Sequence, residues 1–341
     1  MGRNGGVAVV TGASAGVGRA TARALAGAGF DVALLARGQA GLDATAREVE
    51  KQGRRALPIV TDVARWEDVD AAADRIEREF GPIDVWVNDA MTTVFAWSWE
   101  VEPDEFRRAT EVTYLGQVHG TLAALARMRP RDAGTIVNVG SALAFIGIPL
   151  QSAYCGAKFA CRGFFQSVRA ELLAEGSNIH ISMVHLPAVN TPQFEWCLDK
   201  LPRHPRPVAP VYKPEVAARA ILRSALSDRR SKILGAWNKV VVCGALAFPE
   251  FLCRFAALST VEGQQIDRPT KPDRPCNLWE PADDDRDFGA TGTFGDEAGG
   301  TLDSSFLRQL PKTGRQAAAA VWSTLAYKAR RARRELPVRS T

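Results

Sequence analysis

Short apolar segments rich in β-branched residues alternate with longer segments of helical periodicity over the first two thirds of the chain. The apolar segments are predicted to be buried parallel strands at 6–11, 31–36, 56–60, 83–87, 135–139, 180–186 and 231–235. Helices are predicted at 15–28, 40–52, 66–80, 105–128, 151–174 and 214–226. This alternation predicts an α/β fold, a Rossmann-like doubly wound parallel sheet of about seven strands with helices on both faces.

A glycine-rich turn, TGASAGVG, joins the first predicted strand to the first predicted helix. Glycines let the backbone approach a ligand closely, and a helix N-terminus favours an anion. The turn therefore predicts a pyrophosphate site formed by Gly12, Ser14, Gly16, Val17 and Gly18.

The second predicted strand ends in the neutral Ala36 and is followed by Arg37. An acidic residue at this strand end binds the ribose 2′-hydroxyl of NAD, whereas an arginine accommodates the 2′-phosphate of NADP. Arg37 therefore predicts a preference for NADP(H), with NAD(H) kept open as the other cofactor.

A hydroxyl, a phenol and an ammonium group are predicted to converge at one end of the sheet. Ser141 follows the strand 135–139, and Tyr154 and Lys158 lie four residues apart on one face of the next helix. A cation beside a phenol stabilises the phenolate and lowers its pKa. Ser141 would hold a substrate oxygen while Tyr154 gives or takes its proton.

These motifs together resemble the short-chain dehydrogenase/reductase family in its compact single-domain form, over residues 5–237. The resemblance implies NAD(P)-linked oxidoreduction of a small-molecule carbonyl or alcohol. By it, Tyr154 is the acid/base, Ser141 orients the substrate, and Lys158 lowers the pKa of Tyr154 and binds the nicotinamide ribose.

The same resemblance assigns further residues to the cofactor. Asp62 and Val63 would line the adenine pocket, and Asn88 and Ala90 would lie beside the ribose. Thr191 would contact the nicotinamide carboxamide or the phosphates.

Four positions depart from the family pattern. Asp89 and Met91 stand where the family usually has Asn and Gly, and Ala188 replaces a glycine after Pro187. Thr113 occupies the position of the fourth catalytic residue, usually Asn, and its backbone carbonyl is expected to anchor a proton-relay water.

Segment 190–212 lies where the family keeps a mobile substrate lid. The side chains of Phe194, Trp196, Leu198 and Leu201 give this segment an apolar face, which predicts a lipophilic substrate.

Composition and charge restrict the class of protein. A net charge of +5 over 341 residues is mild and argues against nucleic-acid binding by the main domain. The six cysteines form no CxxC pair, which is typical of reduced thiols, and the N-terminus enters a strand without a signal peptide. We expect a cytoplasmic homo-oligomer without a metal.

Four units are predicted along the chain. The oxidoreductase domain covers 1–237, an apolar helical extension 238–260, a loosely structured linker or strap 261–314, and a basic amphipathic helix 315–341. In the last unit a cluster of Lys328, Arg330, Arg331, Arg333 and Arg334 follows the apolar stripe and would allow peripheral contact with an anionic membrane.

The predicted function is an NADP(H)-dependent oxidoreductase that interconverts a carbonyl and an alcohol. Two alternatives remain open: a non-catalytic NADP-binding sensor or scaffold on a dehydrogenase fold, and an NAD-preferring alcohol dehydrogenase.

Overall fold

A computed structural model of the chain describes residues 5–227, 231–271 and 273–299. Its main sheet has seven parallel strands: β1 (Val7–Thr11), β2 (Asp31–Ala36), β3 (Ala56–Val60), β4 (Ile83–Asn88), β5 (Thr135–Ser141), β6 (His180–Leu186) and β7 (Ser231–Ile233). Their order is β7-β6-β5-β4-β1-β2-β3. The direction of winding reverses between β1 and β4, which is where open α/β sheets bind their ligands.

Helices cover both faces of this sheet and continue beyond it. They are α1 (Gly16–Gly27), α2 (Gln39–Glu50), α3 (Trp66–Phe80), α4 (Pro103–Thr110), α5 (Gly116–Met128), α6 (Ser152–Ala174), α7 (Gln193–Trp196), α8 (Pro214–Ala225), α9 (Ala236–Ala247) and α10 (Pro249–Gly263). None of the helices within the described ranges is long and apolar enough to cross a membrane.

The hydrophobic core consists of one layer on each face of the sheet. Successive side chains of a strand point to opposite faces, so Val10 and Leu34 pack against Leu25 and Ile221 on one face. On the other face, Leu35 joins a cluster that contains residues of α3, α5 and α6. Burial on both faces explains why the strands are continuous apolar runs.

The predicted elements agree with the structure except at two points that affect the site. The helix predicted at 105–128 is α4 and α5 joined by a π-helical turn at Glu111–Leu115. The strand predicted at 135–139 continues to Ser141, because β6 pairs with it through Leu186. Ser141 is therefore fixed within the sheet rather than in the loop that follows.

The chain beyond β7 returns to the sheet. After the hairpin of α9 and α10, Gln265–Pro269 pairs antiparallel with Arg203–Pro205 of the lid segment. Residues 273–299 then cross the carboxyl ends of the strands and bond to Asn190 and Val211. Up to residue 299, the segment expected to be a loose strap is thus docked on the domain, and the predicted tail helix 315–341 lies outside the described residues.

Candidate active site

One cavity of about 370 Å³ lies at the carboxyl edge of the sheet. Its floor is formed by the ends of β1, β5 and β6, and its walls by the lid segment, the hairpin of α9 and α10, and the returning C-terminal segment. Such a position is the usual one for a ligand of an open α/β sheet.

Ser141, Tyr154 and Lys158 meet in this cavity, as the sequence predicts. The strand β5 ends at Ser141, and α6 presents Tyr154 and Lys158 one turn apart. The Lys158 side chain is 3% exposed, and its Nζ donates to the Val139 carbonyl oxygen at 2.9 Å. Its Nζ lies 5.6 Å from the centre of the Tyr154 ring. These positions let a phenol, a hydroxyl and an ammonium group act on one substrate oxygen.

The pKa of Tyr154 is raised, not lowered, in the structure. Burial is the largest influence and raises the pKa of the phenol, while Lys158 and the hydrogen bond with Ser141 act in the opposite direction. The predicted influence of the cation is therefore present, but desolvation outweighs it.

The glycine turn has the geometry of a phosphate-binding loop. Gly12 has a φ of +69°, and a Cβ there would lie 2.9 Å from the Cα of Ala90. A Cβ on Gly18 would overlap the carbonyl of Gly12. Helix α1 begins at Gly16, and no side chain caps its N-terminus. Close backbone approach and a helix start without a side-chain cap fit the pyrophosphate of a dinucleotide.

Most of the residues predicted to bind a cofactor line this single cavity. They are Gly12, Ser14, Gly16, Val17, Arg37, Asp62, Val63, Ala90, Tyr154, Lys158 and Thr191.

Comparison with known proteins agrees with this arrangement. Residues 6–199 match the family model described as short chain dehydrogenase. The chain belongs to the short-chain dehydrogenase family. It is therefore an oxidoreductase of that family, with a fold that binds a nicotinamide cofactor.

Individual relatives extend the likeness beyond the matched region. An uncharacterized oxidoreductase of Bacillus subtilis, YxnA, is 33% identical over 80% of this chain and 78% of its own length. A 3-dehydrosphinganine reductase of Danio rerio is 31% identical over 68% of this chain and 72% of its own. A solved alcohol dehydrogenase from the archaeon Thermococcus sibiricus, complexed with 5-hydroxy-NADP, is 28% identical with a TM-score of 0.58. It matches 67% of this chain and 94% of its own.

Asn88 does not reach the cavity of this short-chain dehydrogenase. Its side chain donates to Thr121 Oγ1 at 3.1 Å and Asn138 Oδ1 at 2.9 Å, and accepts from Trp86 Nε1 at 2.8 Å. The side chain is therefore held in a buried polar network beneath the strand ends, and a contact of Asn88 with the ribose, which stays a prediction, would have to come from its backbone. Gly18 also lies behind the cavity wall, in contact with Gly12.

Thr113 is likewise outside the cavity, in the π-helical turn. Its hydroxyl accepts from the Thr92 amide at 3.0 Å and donates to the Thr92 carbonyl at 2.8 Å. Its own carbonyl, which was expected to anchor a water, accepts from the thiol of Cys161 at 3.3 Å. The short threonine side chain is thus used to fix the loop after β4.

Asp89, which stands where the family usually has Asn, lies in the cavity wall near the glycine turn. Burial raises the pKa of Asp89 to about 7, although Lys158 and the amide of Gly18 act in the opposite direction.

Burial also lowers the pKa of His185 to about 4. The Nδ1–H of that histidine donates to the Ser141 carbonyl at 3.2 Å, so it packs behind the serine as a neutral ring.

The sequence indicated the lid but not the other residues that close the cavity. Phe194 and Trp196 of the lid line it as expected, together with Trp237, Val241, Leu252 and Phe255 of the hairpin. Asn277, Pro281 and Asp283 of the C-terminal segment complete the wall. The run of aspartates at 283–285 was the one signal, and nothing local says where it docks.

Proposed function

We propose that this short-chain dehydrogenase interconverts a carbonyl and an alcohol with a nicotinamide cofactor and a Ser-Tyr-Lys acid/base site. The observation that carries the proposal is the meeting of Ser141, Tyr154 and Lys158 at the wall of one largely apolar cavity, which also contains the glycine turn.

Each of the three residues has a separate part in the proposed reaction. Ser141 donates a hydrogen bond to the substrate oxygen and holds it beside Tyr154. Tyr154 gives its phenolic proton to that oxygen during reduction and takes it back during alcohol oxidation. Lys158 stabilises the phenolate and opposes the rise in the pKa of Tyr154 that burial causes. The nicotinamide, when bound, supplies or accepts the hydride, and the glycine turn with the start of α1 would hold the pyrophosphate of the cofactor.

The substrate we propose is lipophilic. The substrate side of the cavity is formed by apolar side chains of three elements: Ile146 and Ile148 after β5, Phe194 and Trp196 of the lid, and Leu252 and Phe255 of α10. Two relatives are named as reductases of 3-dehydrosphinganine and 3-ketodihydrosphingosine, so sphingoid ketones are the first candidates.

For the cofactor, the preference for NADP(H) rests on Arg37 and stays a prediction. The related alcohol dehydrogenase that carries an NADP analogue supports it. Arg37 itself, however, donates to the carbonyl oxygens of Trp279, at 2.6 Å, and Asn277. Its guanidinium is therefore shared with the chain's own backbone.

A non-catalytic sensor is the second candidate, and the bonded carbonyl of Thr113 favours it. If no water can bind there, the proton relay to Tyr154 lacks its expected anchor. Cytoplasmic location, a homo-oligomeric state and peripheral membrane contact through 315–341 also stay predictions.

The test is turnover by Tyr154→Phe, measured with NADPH and NADH against a panel of ketones and aldehydes that includes 3-ketodihydrosphingosine. The ring volume is kept and the proton donor is lost, so turnover should fall by roughly 10²–10⁴-fold with dinucleotide affinity unchanged. The matched control is Tyr114→Phe, because Tyr114 packs edge-on against Phe164 away from the cavity. Wild-type protein that binds dinucleotide and turns over no compound in the panel would favour the sensor.

A further inference from the structure

The C-terminal segment 276–292, here called the strap, follows the adenosine half of the cavity. It begins where the Asn277 amide donates to the Trp196 carbonyl at 2.9 Å and ends where Gly292 donates to Asn190 at 3.2 Å. Between these points it passes Arg37, the start of α2 and the start of α1, where Gly16 donates to the Gly289 carbonyl at 3.2 Å. The strap therefore borders every element that would contact an adenosine ribose.

The strap is held by polar contacts at both helix starts. The amides of Ala40 and Gly41 donate to the carbonyls of Asp284, at 3.0 Å, and Asp283, at 3.2 Å. The guanidinium of Arg19, which is 5% exposed, is paired with Asp287 of the strap and with Glu48 at 2.8 Å. These contacts fix the backbone on either side of Asp283.

The carboxylate of Asp283 is buried between the start of α2 and the glycine turn. Its residue is 7% exposed, and a Cβ on Gly41 would lie 2.6 Å from its Oδ2. Gly38 would overlap the same carboxylate if it carried a Cβ, so both glycines make room for it. Asp283 lines the cavity beside Ser14 and Arg37, and its carboxyl group interacts with the Ser14 hydroxyl. Its Oδ2 atom has no hydrogen-bond partner within the described part of the chain.

The carboxylate of Asp283 lies close to the end of the second strand, β2, against Gly38. The end of the second strand is where dinucleotide-binding folds present an acidic side chain to the ribose 2′-hydroxyl, and β2 ends here in Ala36 without one. A buried acceptor without a partner satisfies its hydrogen-bonding capacity when a ribose hydroxyl donates to it. An anion at the same place opposes a 2′-phosphate.

We propose that Asp283 selects the cofactor, accepting a hydrogen bond from the adenosine ribose of NAD(H) and excluding the 2′-phosphate of NADP(H) while the strap is docked. This inference rests on the proposed function, because it takes the cavity to bind a nicotinamide dinucleotide. In this proposal Arg37 does not bind a 2′-phosphate in the wild-type protein. It holds the strap by donating hydrogen bonds to the carbonyl oxygens of Asn277 and Trp279.

The surrounding charges agree with this selection. Asp62, Asp283 and Glu280 all act on Arg37 as negative neighbours. The nearby Arg108 is paired with Asp62 at 2.6 Å and donates to the Leu278 carbonyl at 3.1 Å. Arg37 and Arg108 are therefore already matched by carboxylates and strap carbonyls, so within the part of the chain that the structure describes neither of them offers an unmatched positive charge to a 2′-phosphate.

The experiment is calorimetric titration of NADH and NADPH into wild-type protein, Asp283→Asn and the control Asp285→Asn. Asp285 is exposed on the same strap, so the control changes net charge equally without touching the cavity. Wild type should bind NADH more tightly than NADPH. Asp283→Asn should shift the ratio of the two dissociation constants toward NADPH by about ten- to hundredfold, the size of a charged hydrogen bond. Asp285→Asn should leave the ratio unchanged.

Three results would overturn the inference, and a melting curve of each variant establishes that it is folded. A wild type that prefers NADPH, or a folded Asp283→Asn variant with an unchanged ratio, refutes the assignment while leaving the oxidoreductase function in place. Wild-type protein that binds neither dinucleotide refutes the assignment together with the proposed function.

Discussion

The Nζ of Lys158 and the carbonyl oxygen of Val139 lie 2.9 Å apart, which ties the α6 lysine to the strand that ends in Ser141. This bond fixes the position of the lysine side chain of α6 relative to the strand. The Nζ atom is held 5.6 Å from the centre of the Tyr154 ring. Its influence on the pKa of the phenol therefore does not depend on a bound ligand.

Replacing Lys158 with Met should therefore change the pH dependence of catalysis as well as its rate. The variant keeps most of the side-chain volume and removes the cation that lowers the pKa of Tyr154. The pH at which kcat/KM for alcohol oxidation reaches half its maximum should rise by about one unit or more. Lys51→Met, at an exposed position after α2, is the control. An unchanged pH profile in a folded Lys158→Met variant would contradict the proposed role.

Asp89 gives a prediction about stability. Its ordinary pKa is 3.8 and its pKa in the folded protein is about 7. Between these values the folded protein keeps a proton that the unfolded chain has released, so the free energy of unfolding falls as pH rises. Asp89→Asn is neutral at every pH, and its stability advantage over wild type should grow by on the order of 2 kcal/mol between pH 5 and pH 8. Denaturant unfolding at the two pH values measures it.

The control for this measurement is Asp285→Asn, which removes an exposed carboxylate. Its stability relative to wild type should hardly change between the two pH values. An Asp89→Asn variant that behaves in the same way would show that Asp89 ionises normally in the folded protein.

The double variant Arg37→Ala, Asp283→Asn tests whether Arg37 can bind a 2′-phosphate in addition to holding the strap. Once the strap carboxylate is neutral, a 2′-phosphate can approach Arg37 and form a charge-assisted bond. NADPH affinity gained by Asp283→Asn should then be lost again, by about tenfold or more, when Arg37 is also removed. Titration of NADPH into the single and double variants tests this, and equal affinity in both would place the 2′-phosphate away from Arg37.

The sequence predicted the sheet and the three central side chains because both depend on local patterns. An apolar, β-branched run between Gly134 and Gly140 predicts β5, and four-residue spacing on α6 alone brings Tyr154 and Lys158 to one face. The glycine turn is also partly local, since Gly18 is needed for its contact with Gly12 and Gly12 for its contact with Ala90 after the neighbouring strand β4.

What the sequence missed depends on partners distant in the chain. Asn88 is withdrawn from the cavity because Gly120 leaves room for its amide on α5, and Thr121 and Asn138 bond to it there. The strap follows no periodic pattern, so its docking on Gly38 and Gly41 could be found only from the folded chain. The net direction of the Tyr154 pKa likewise depends on burial, which a motif does not reveal.

The capping of α2 by the strap has a consequence for how the protein is made. Gly38 supplies no side-chain cap, so the first turn of this helix is completed by the carbonyls of Asp283 and Asp284. During synthesis β2 and α2 leave the ribosome long before these residues exist. The nascent domain can form its sheet and its serine, tyrosine and lysine cluster early, yet its adenosine end stays open to solvent until translation has passed residue 292.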